Sequence, residues 1–185
     1  MTGNREDSVV VLDFLKNGYA DDPRPMHKKT AIVQGVGVNT IALFELVPKK
    51  DIFLQPGQEV YIGEGKRDEI HHIVGRIAHS RLTQTAKDEL EFVVKDIVTK
   101  KEKEFVDFFN KAQPLTMRMH QLELLPGLGK KHMWEIVEAR DTQAFTSFDD
   151  IKNRVKLIPD PQKLVIKRIL LELEGNEKYR VFVKE

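Results

Sequence analysis

The sequence predicts an α+β protein: a small antiparallel β-barrel at the N-terminus, then an all-α domain built from two paired helical hairpins. Three observations predict it. Five short β-rich runs occupy roughly the first eighty residues with no helical pattern between them. Helical periodicity begins near Thr83 and persists towards the C-terminus. A Pro-Gly-x-Gly turn at Pro126–Gly129 lies between two apolar segments, and a weaker copy follows 33 positions later. The predicted boundaries are 1–82 for the barrel, 83–114 for a helical connector and 115–185 for the tandem hairpins with a C-terminal tail.

The strands follow from apolar and β-branched runs: Val9–Leu15, Thr30–Gly37, Thr40–Val47, Val60–Gly63 and Ile70–Ile77. Turn residues separate them at Gly37–Asn39, Pro48–Asp51, Pro56-Gly57 and Gly63–Asp68. Short strands at this spacing suggest closure into a barrel, and Gly35, Gly37 and Gly75 fit bends at its corners. A barrel of oligonucleotide-binding (OB) type is the first choice and a generic five-stranded barrel the second.

Beyond Thr83, Thr85 reads as an N-cap, and Leu90, Val93, Val94 and Ile97 share one helical face. The charged run Lys100–Glu104 is a solvated helix continuation or a break before Phe105–Phe109. Pro114 ends this segment and Thr116 is placed to cap the first hairpin helix. Ser147 caps a helix starting at Phe148, and Pro161 opens the last helix, which stops at Gly175. The tail Tyr179–Val183 alternates like a short strand.

The segment from Leu122 to Val137 resembles the hairpin of the helix-hairpin-helix superfamily, a sequence-nonspecific nucleic-acid binder. Two glycines in a tight turn allow positive φ and leave no side chain in the way. Amides of the turn and of the next helix's first turn then point outward, where a phosphate binds. Gly127, Leu128, Gly129, Lys130, Lys131 and His132 are the primary nucleic-acid candidates. His132 and Met133 depart from the usual pattern, which commonly has Thr and a small residue there.

Shifting by 33 positions matches Leu122 with Val155, Leu125-Pro126 with Ile158-Pro159, Met133 with Ile166, and Ile136-Val137 with Ile169-Leu170. Gly127 meets Asp160 and Gly129 meets Gln162, so the second unit has lost the glycines and is expected to be mainly structural. Leu122, Leu125, Ile136, Val155, Ile169 and Leu173 are the expected shared core. Secondary contacts are assigned to Lys163, Lys167 and Arg168, and on the barrel to Lys28, Lys29, Arg76 and Arg81. Core packing is the expected role of Trp134.

Composition narrows the function classes. Lys and Arg total 30 against 29 Asp and Glu, a formal net charge of +1, so any nucleic-acid surface is a local patch. Cysteine is absent, which removes disulfides and thiolate sites and suits a reducing cytoplasm. No apolar run approaches the ~20 residues of a membrane span, and no signal-type segment opens the chain. No metal or cofactor is expected. The six histidines lack ligand spacing, and His71 and His72, adjacent in a strand, are expected on opposite faces. Gly35-Val-Gly37 lies between strands without the helix a dinucleotide site needs. Lys131 and Asp149 fall near the catalytic positions of hairpin-bearing glycosylases, but Asp149 is better explained as a helix-start carboxylate. The expectation is therefore a non-enzymatic protein.

Over nearly its full length the chain resembles an archaeal family, the domain of unknown function 655 family, described as predicted RNA-binding. Leu124–Lys131, Ser147–Ile151 with Arg154-Val155, and Ile158–Pro161 with Lys163 carry the resemblance. It implies an OB-like barrel followed by a helix-hairpin-helix pair. The resulting expectation is a cytoplasmic, non-sequence-specific nucleic-acid binder, RNA in preference to DNA, with a ribonucleoprotein partner as a candidate. The alternatives are a DNA-binding accessory of repair or recombination and a protein–protein scaffold.

Overall fold

The computed structural model describes residues 5–184. They form two compact units, one of residues 5–93 with 172–184 and one of residues 94–171.

The first unit is built on one antiparallel sheet. Its strands are β1 (Ser8–Leu15), β2 (Ile32–Gly37), β3 (Leu43–Pro48), β4 (Glu59–Tyr61) and β5 (Ile70–Arg76), in the order β4-β1-β2-β3-β5. The sheet curls but does not close: β4 and β5 are its edges. This corrects the expected closed barrel. Only three residues of β4 pair with β1, too few to carry the sheet round to β5. Bulges shift the β1–β2 register between Val11 and Asp13 and the β3–β5 register at two places. Such shifts bend strands and increase twist. Gly35 is required where β2 passes β1, because a Cβ there would lie 2.2 Å from Val9 Cγ1 and 2.9 Å from the Val10 carbonyl oxygen.

Alternation puts Val9, Val11, Val33, Phe44, Leu46, Val60 and Ile70 in one core with Leu54 and Ile62. Each such side chain contributes about 1.5–3 kcal/mol on burial. Gln34, fully buried on β2, donates to the Arg81 carbonyl (2.9 Å) and the Tyr19 hydroxyl (3.2 Å). Its Oε1 accepts from the Thr83 amide (2.9 Å). Thr83, not Thr85, caps helix α1 (Gln84–Lys100), its hydroxyl accepting from the Ala86 amide at 3.1 Å. The tail is not a strand. Glu172, which is buried, accepts the amides of Val181, Phe182 and Val183 on Oε1 at 2.9, 3.0 and 3.1 Å. The Lys184 amide donates to the Thr40 carbonyl (2.8 Å).

The second unit is helical. The charged run is a break: α1 ends at Lys100 and α2 (Glu102–Lys111) restarts after Lys101. Then come α3 (Lys130–Thr142), α4 (Phe148–Arg154) and α5 (Pro161–Glu174), whose last turn passes into the first unit. Ser147 caps α4 through a 2.9 Å bond from the Asp150 amide, and α5 opens at Pro161.

The first hairpin lacks the α-helix expected before its turn. Residues 114–120 form a loop closed by a bridge between Pro114 and His120, followed by one 3-10 turn, Gln121–Leu124. Thr116 caps no helix; its hydroxyl accepts from the Arg118 amide within the loop. The reason is local. The His120 imidazole accepts the Leu122 amide while Glu123 accepts the His120 amide, so the cap is set only two residues before Leu122. The expected core residues are nonetheless buried: Leu122, Leu125, Ile136, Val155 and Ile169 in this unit and Leu173 in the first.

Candidate functional site

The turn between the 3-10 segment and α3 carries most of the predicted residues. Gly127 has φ +89°, a left-handed conformation that favours glycine, and it is exposed. Gly129 is the N-cap of α3 with φ −93° and ψ −175°, and no side chain caps the helix. A Cβ built at either glycine meets nothing within 4 Å. The bend is therefore open.

Two backbone bonds hold its shape. The Leu128 amide donates to the Leu125 carbonyl (3.1 Å), and the Met133 amide to the Gly129 carbonyl (3.0 Å). Among the described residues, the amides of Gly127, Gly129, Lys130, Lys131 and His132 have no intramolecular acceptor. Helix starts leave such donors unsatisfied, and their partial positive charge favours an anion. Leu128 takes a different part from its neighbours. Its side chain is buried and its amide is used, so it anchors the turn to the core rather than presenting a donor.

The two lysines are not equivalent. Lys130 folds back, its Nζ 3.0 Å from Glu123 Oε1 and 2.8 Å from the Arg118 carbonyl. The His120 amide, and then Lys130, hold the Glu123 carboxyl below its ordinary range. Lys131 is exposed and has no ion pair among the described residues. His132 is half-buried. Burial, reinforced by Arg140, pushes the His120 imidazole down, which suits its role as a hydrogen-bond acceptor.

The second hairpin answers the same backbone need differently. Asp160 Oδ1 accepts the amides of Gln162 (3.0 Å) and Lys163 (3.3 Å), and Pro161 has no N–H to offer. In the 33-residue alignment α5 starts two residues earlier than α3. The carboxylate at Asp160 thus occupies the donors that the first hairpin leaves open.

The secondary candidates separate. Lys163 and Lys167 are exposed, as is Lys28, and Lys29 is half-buried. Arg168 is not exposed as expected: it is buried and donates to the Leu124 carbonyl (3.3 Å), just before the turn. Arg81 is exposed but committed to Asp21 at 2.9 Å, with its guanidinium 3.7 Å from the Tyr19 ring centroid. Arg76 donates to the Lys184 carbonyl.

Two placements were missed from sequence. Trp134 is 59% exposed rather than in the core, one turn along α3 from Lys130. His71 and His72 do not lie apart: their Nδ1 atoms are 2.8 Å from each other. The register shift between Val47 and Pro48, opposite His72 and Ile70, breaks the strand alternation there. A bulge is the one signal that would have shown this, and nothing in the local sequence announces it.

The model of a protein family of unknown function, DUF655, matches residues 5–184. The chain belongs to the DUF655 family. It is 43% identical over 181 residues to the protein MJ0038 of Methanocaldococcus jannaschii, an alignment covering 97% of this chain and 80% of that one. A solved crystal structure, that of Af1531 from Archaeoglobus fulgidus, superposes with a TM-score of 0.87 at 44% identity over 96% of this chain and 99% of that one. The family and the archaeal relatives agree with the resemblance drawn from the hairpin segments. Among the described residues, no helix is long and apolar enough to cross a membrane.

Proposed function

We propose that this DUF655 protein binds nucleic acid without sequence specificity, RNA in preference to DNA, through the phosphate backbone. The observation that carries the reading is the contrast between the two helix starts. At α3 a glycine N-cap leaves consecutive amides open on an exposed bend, with Lys131 beside them. At α5 Asp160 closes the equivalent amides from within. A phosphate at the first bend would take the acceptor role that Asp160 plays at the second. Contacts of this kind fix position on a strand and read no bases. In this reading the turn is a helix-hairpin-helix element whose first helix has shortened to a 3-10 turn, and the curled sheet is an opened relative of the OB barrel.

RNA is preferred in the proposal because the edge strand β5 leaves His71, His72, Val74 and Arg76 at the surface of the first unit, a strip that offers contacts to unpaired bases, the usual target of RNA recognition. The test is a fluorescence anisotropy titration with single-stranded RNA, single-stranded DNA and duplex DNA at equal salt. RNA binding should be strongest, and the Gly127→Ala, Gly129→Ala double variant should bind more weakly while remaining folded. A folded double variant with unchanged affinity rejects the hairpin as the contact. Preference for branched or duplex DNA selects an accessory of DNA repair or recombination instead. Absence of binding to any of these polymers leaves the scaffold reading.

A further inference from the structure

The first unit carries a second feature that the hairpin argument does not use. A cleft of about 730 Å³ opens beside the C-terminal ends of β1 and β3. Its apolar wall includes Phe14, Ile52 and Phe53, and its rim carries Lys16, Lys29 and Lys50. Phe53 is 68% exposed. A single open ring is ordinary on a protein surface, and Phe92 is as exposed at 71%; what sets Phe53 apart is that it stands in the wall of a cleft with Phe14 and Ile52 beside it.

The ring is held in place. Phe14 meets it edge-on, with centroids 5.9 Å apart and planes at 60°. Lys16 Nζ lies 5.9 Å from its centroid. The loop that presents it is fixed by the Ile52 amide bonding to the Lys49 carbonyl and the Lys49 amide to the Glu69 carbonyl. Asp51 adopts φ +60° within that turn, and Ile52 packs against the sheet core.

The charge is one-sided. Lys16 and Lys50 form no ion pair among the described residues, Lys29 lies within electrostatic reach of Asp22 outside the cleft, and Asp51 is the one carboxylate lining it. Lys49 donates its Nζ to the Arg67 carbonyl. The paired imidazoles of His71 and His72 complete the rim.

We infer that this cleft binds a segment of single-stranded RNA, with one base stacked on Phe53 and the flanking phosphates held by Lys16, Lys29 and Lys50. The inference rests on the nucleic-acid reading above and adds a base-contacting site to it. Its chemistry selects a single strand, because a base in a duplex has no free face to offer the ring. Anionic phosphates match the rim lysines, and the apolar wall matches a base rather than a simple anion.

The test uses the full chain and a uridine-rich single-stranded RNA of about ten nucleotides. Anisotropy is measured for the wild type, Phe53→Ala, Phe53→Trp, a Lys16→Glu, Lys50→Glu pair, and the Gly127→Ala, Gly129→Ala pair. Circular dichroism melts establish folding, and a photoreactive uracil in the RNA maps the contact. The expected result is about tenfold weaker binding by Phe53→Ala, affinity retained by Phe53→Trp, and a crosslink at Phe53. Wild-type binding that Phe53→Ala and the charge-reversed pair both leave unchanged, with the crosslink elsewhere, overturns the cleft and spares the hairpin. Loss with Phe53→Ala but not with the glycine pair supports the cleft and rejects the hairpin. No binding by the wild type overturns both.

Discussion

Replacing Gly129 by Asp tests the helix-start argument most directly. Gly129 has the extended backbone of an ordinary N-cap and open space around a built Cβ, so the new side chain fits without strain. Its carboxylate would accept the amides of Lys131 and His132, as Asp160 accepts those of Gln162 and Lys163. Aspartate caps better than glycine by a few tenths of a kcal/mol, so the fold should be unchanged or slightly firmer. A bound phosphate would lose at least one charge-assisted bond, worth about 2 kcal/mol, or roughly thirtyfold in affinity. Like-charge repulsion adds to the loss. Gly129→Ala is the intermediate case, since it leaves the amides open and adds only a methyl group at the bend. The alanine pair is less clean, because Gly127→Ala forces a Cβ into φ +89° and mixes strain with contact loss. The assay is RNA anisotropy at fixed salt beside a urea melt. A Gly129→Asp protein of native stability that binds RNA as tightly as the wild type would refute the reasoning.

Three further outcomes follow from the same geometry. Lys131→Ala should weaken RNA binding more than Lys130→Ala, because Lys130 already serves Glu123 and the Arg118 carbonyl; equal losses in anisotropy would contradict that division. His120 has a folded pKa below its ordinary value, so the unfolded chain binds the extra proton first and stability is lost as pH drops from the ordinary value to the folded one. Above about 6.5 that contribution is fully present. In His120→Asn the step near the ordinary His value should vanish from urea melts taken across pH 4–8, and a step that persists would move the cause elsewhere. Glu172→Ala should cost about 2–4 kcal/mol, since it strands three amides of the tail that converge on one oxygen; a urea midpoint unchanged from wild type would show those bonds to be incidental.

The strands and most helices were legible because burial writes itself into periodicity. Val9, Val11, Val33, Leu46 and Ile70 alternate, and Leu90, Val93, Val94 and Ile97 recur at helical spacing; all are buried. The OB-type closure and the regular hairpin pair are finer readings than that periodicity carries. Sheet closure depends on how many residues of β4 and β5 pair, and three residues of β4 look no different in sequence from five. The missing hairpin helix was hidden because His120 acts as a cap, a role Ser, Thr, Asp and Asn announce far more often. The tight bend was legible where the backbone favours glycine, as at Gly127 with φ +89°. Site residues were less legible among the long cations, because sequence cannot show that Arg168 turns inward or that Arg81 settles on Tyr19 and Asp21. Phe53 went unnoticed because a single aromatic beside a Lys-Lys-Asp turn has no periodic partner.

These commitments bear on the salt dependence of binding. A formal charge of +1 gives no long-range field, so the slope should count local phosphate contacts. Arg76, Arg81, Arg168 and Lys130 are each engaged by the protein's own groups, which removes them from a simple tally of basic residues. In the second unit Lys131, Lys163 and Lys167 remain exposed, and on a single strand they account for a slope of log affinity on log salt of about −2. If Lys16, Lys29 and Lys50 of the cleft also meet phosphates, the slope roughly doubles, to about −4. The Lys16→Glu, Lys50→Glu pair should then bring it back towards the smaller value, while Gly129→Asp should weaken binding with a smaller change in slope. A slope near zero for the wild type would mean that open amides and an exposed ring, however well formed, are not meeting a polyanion at all.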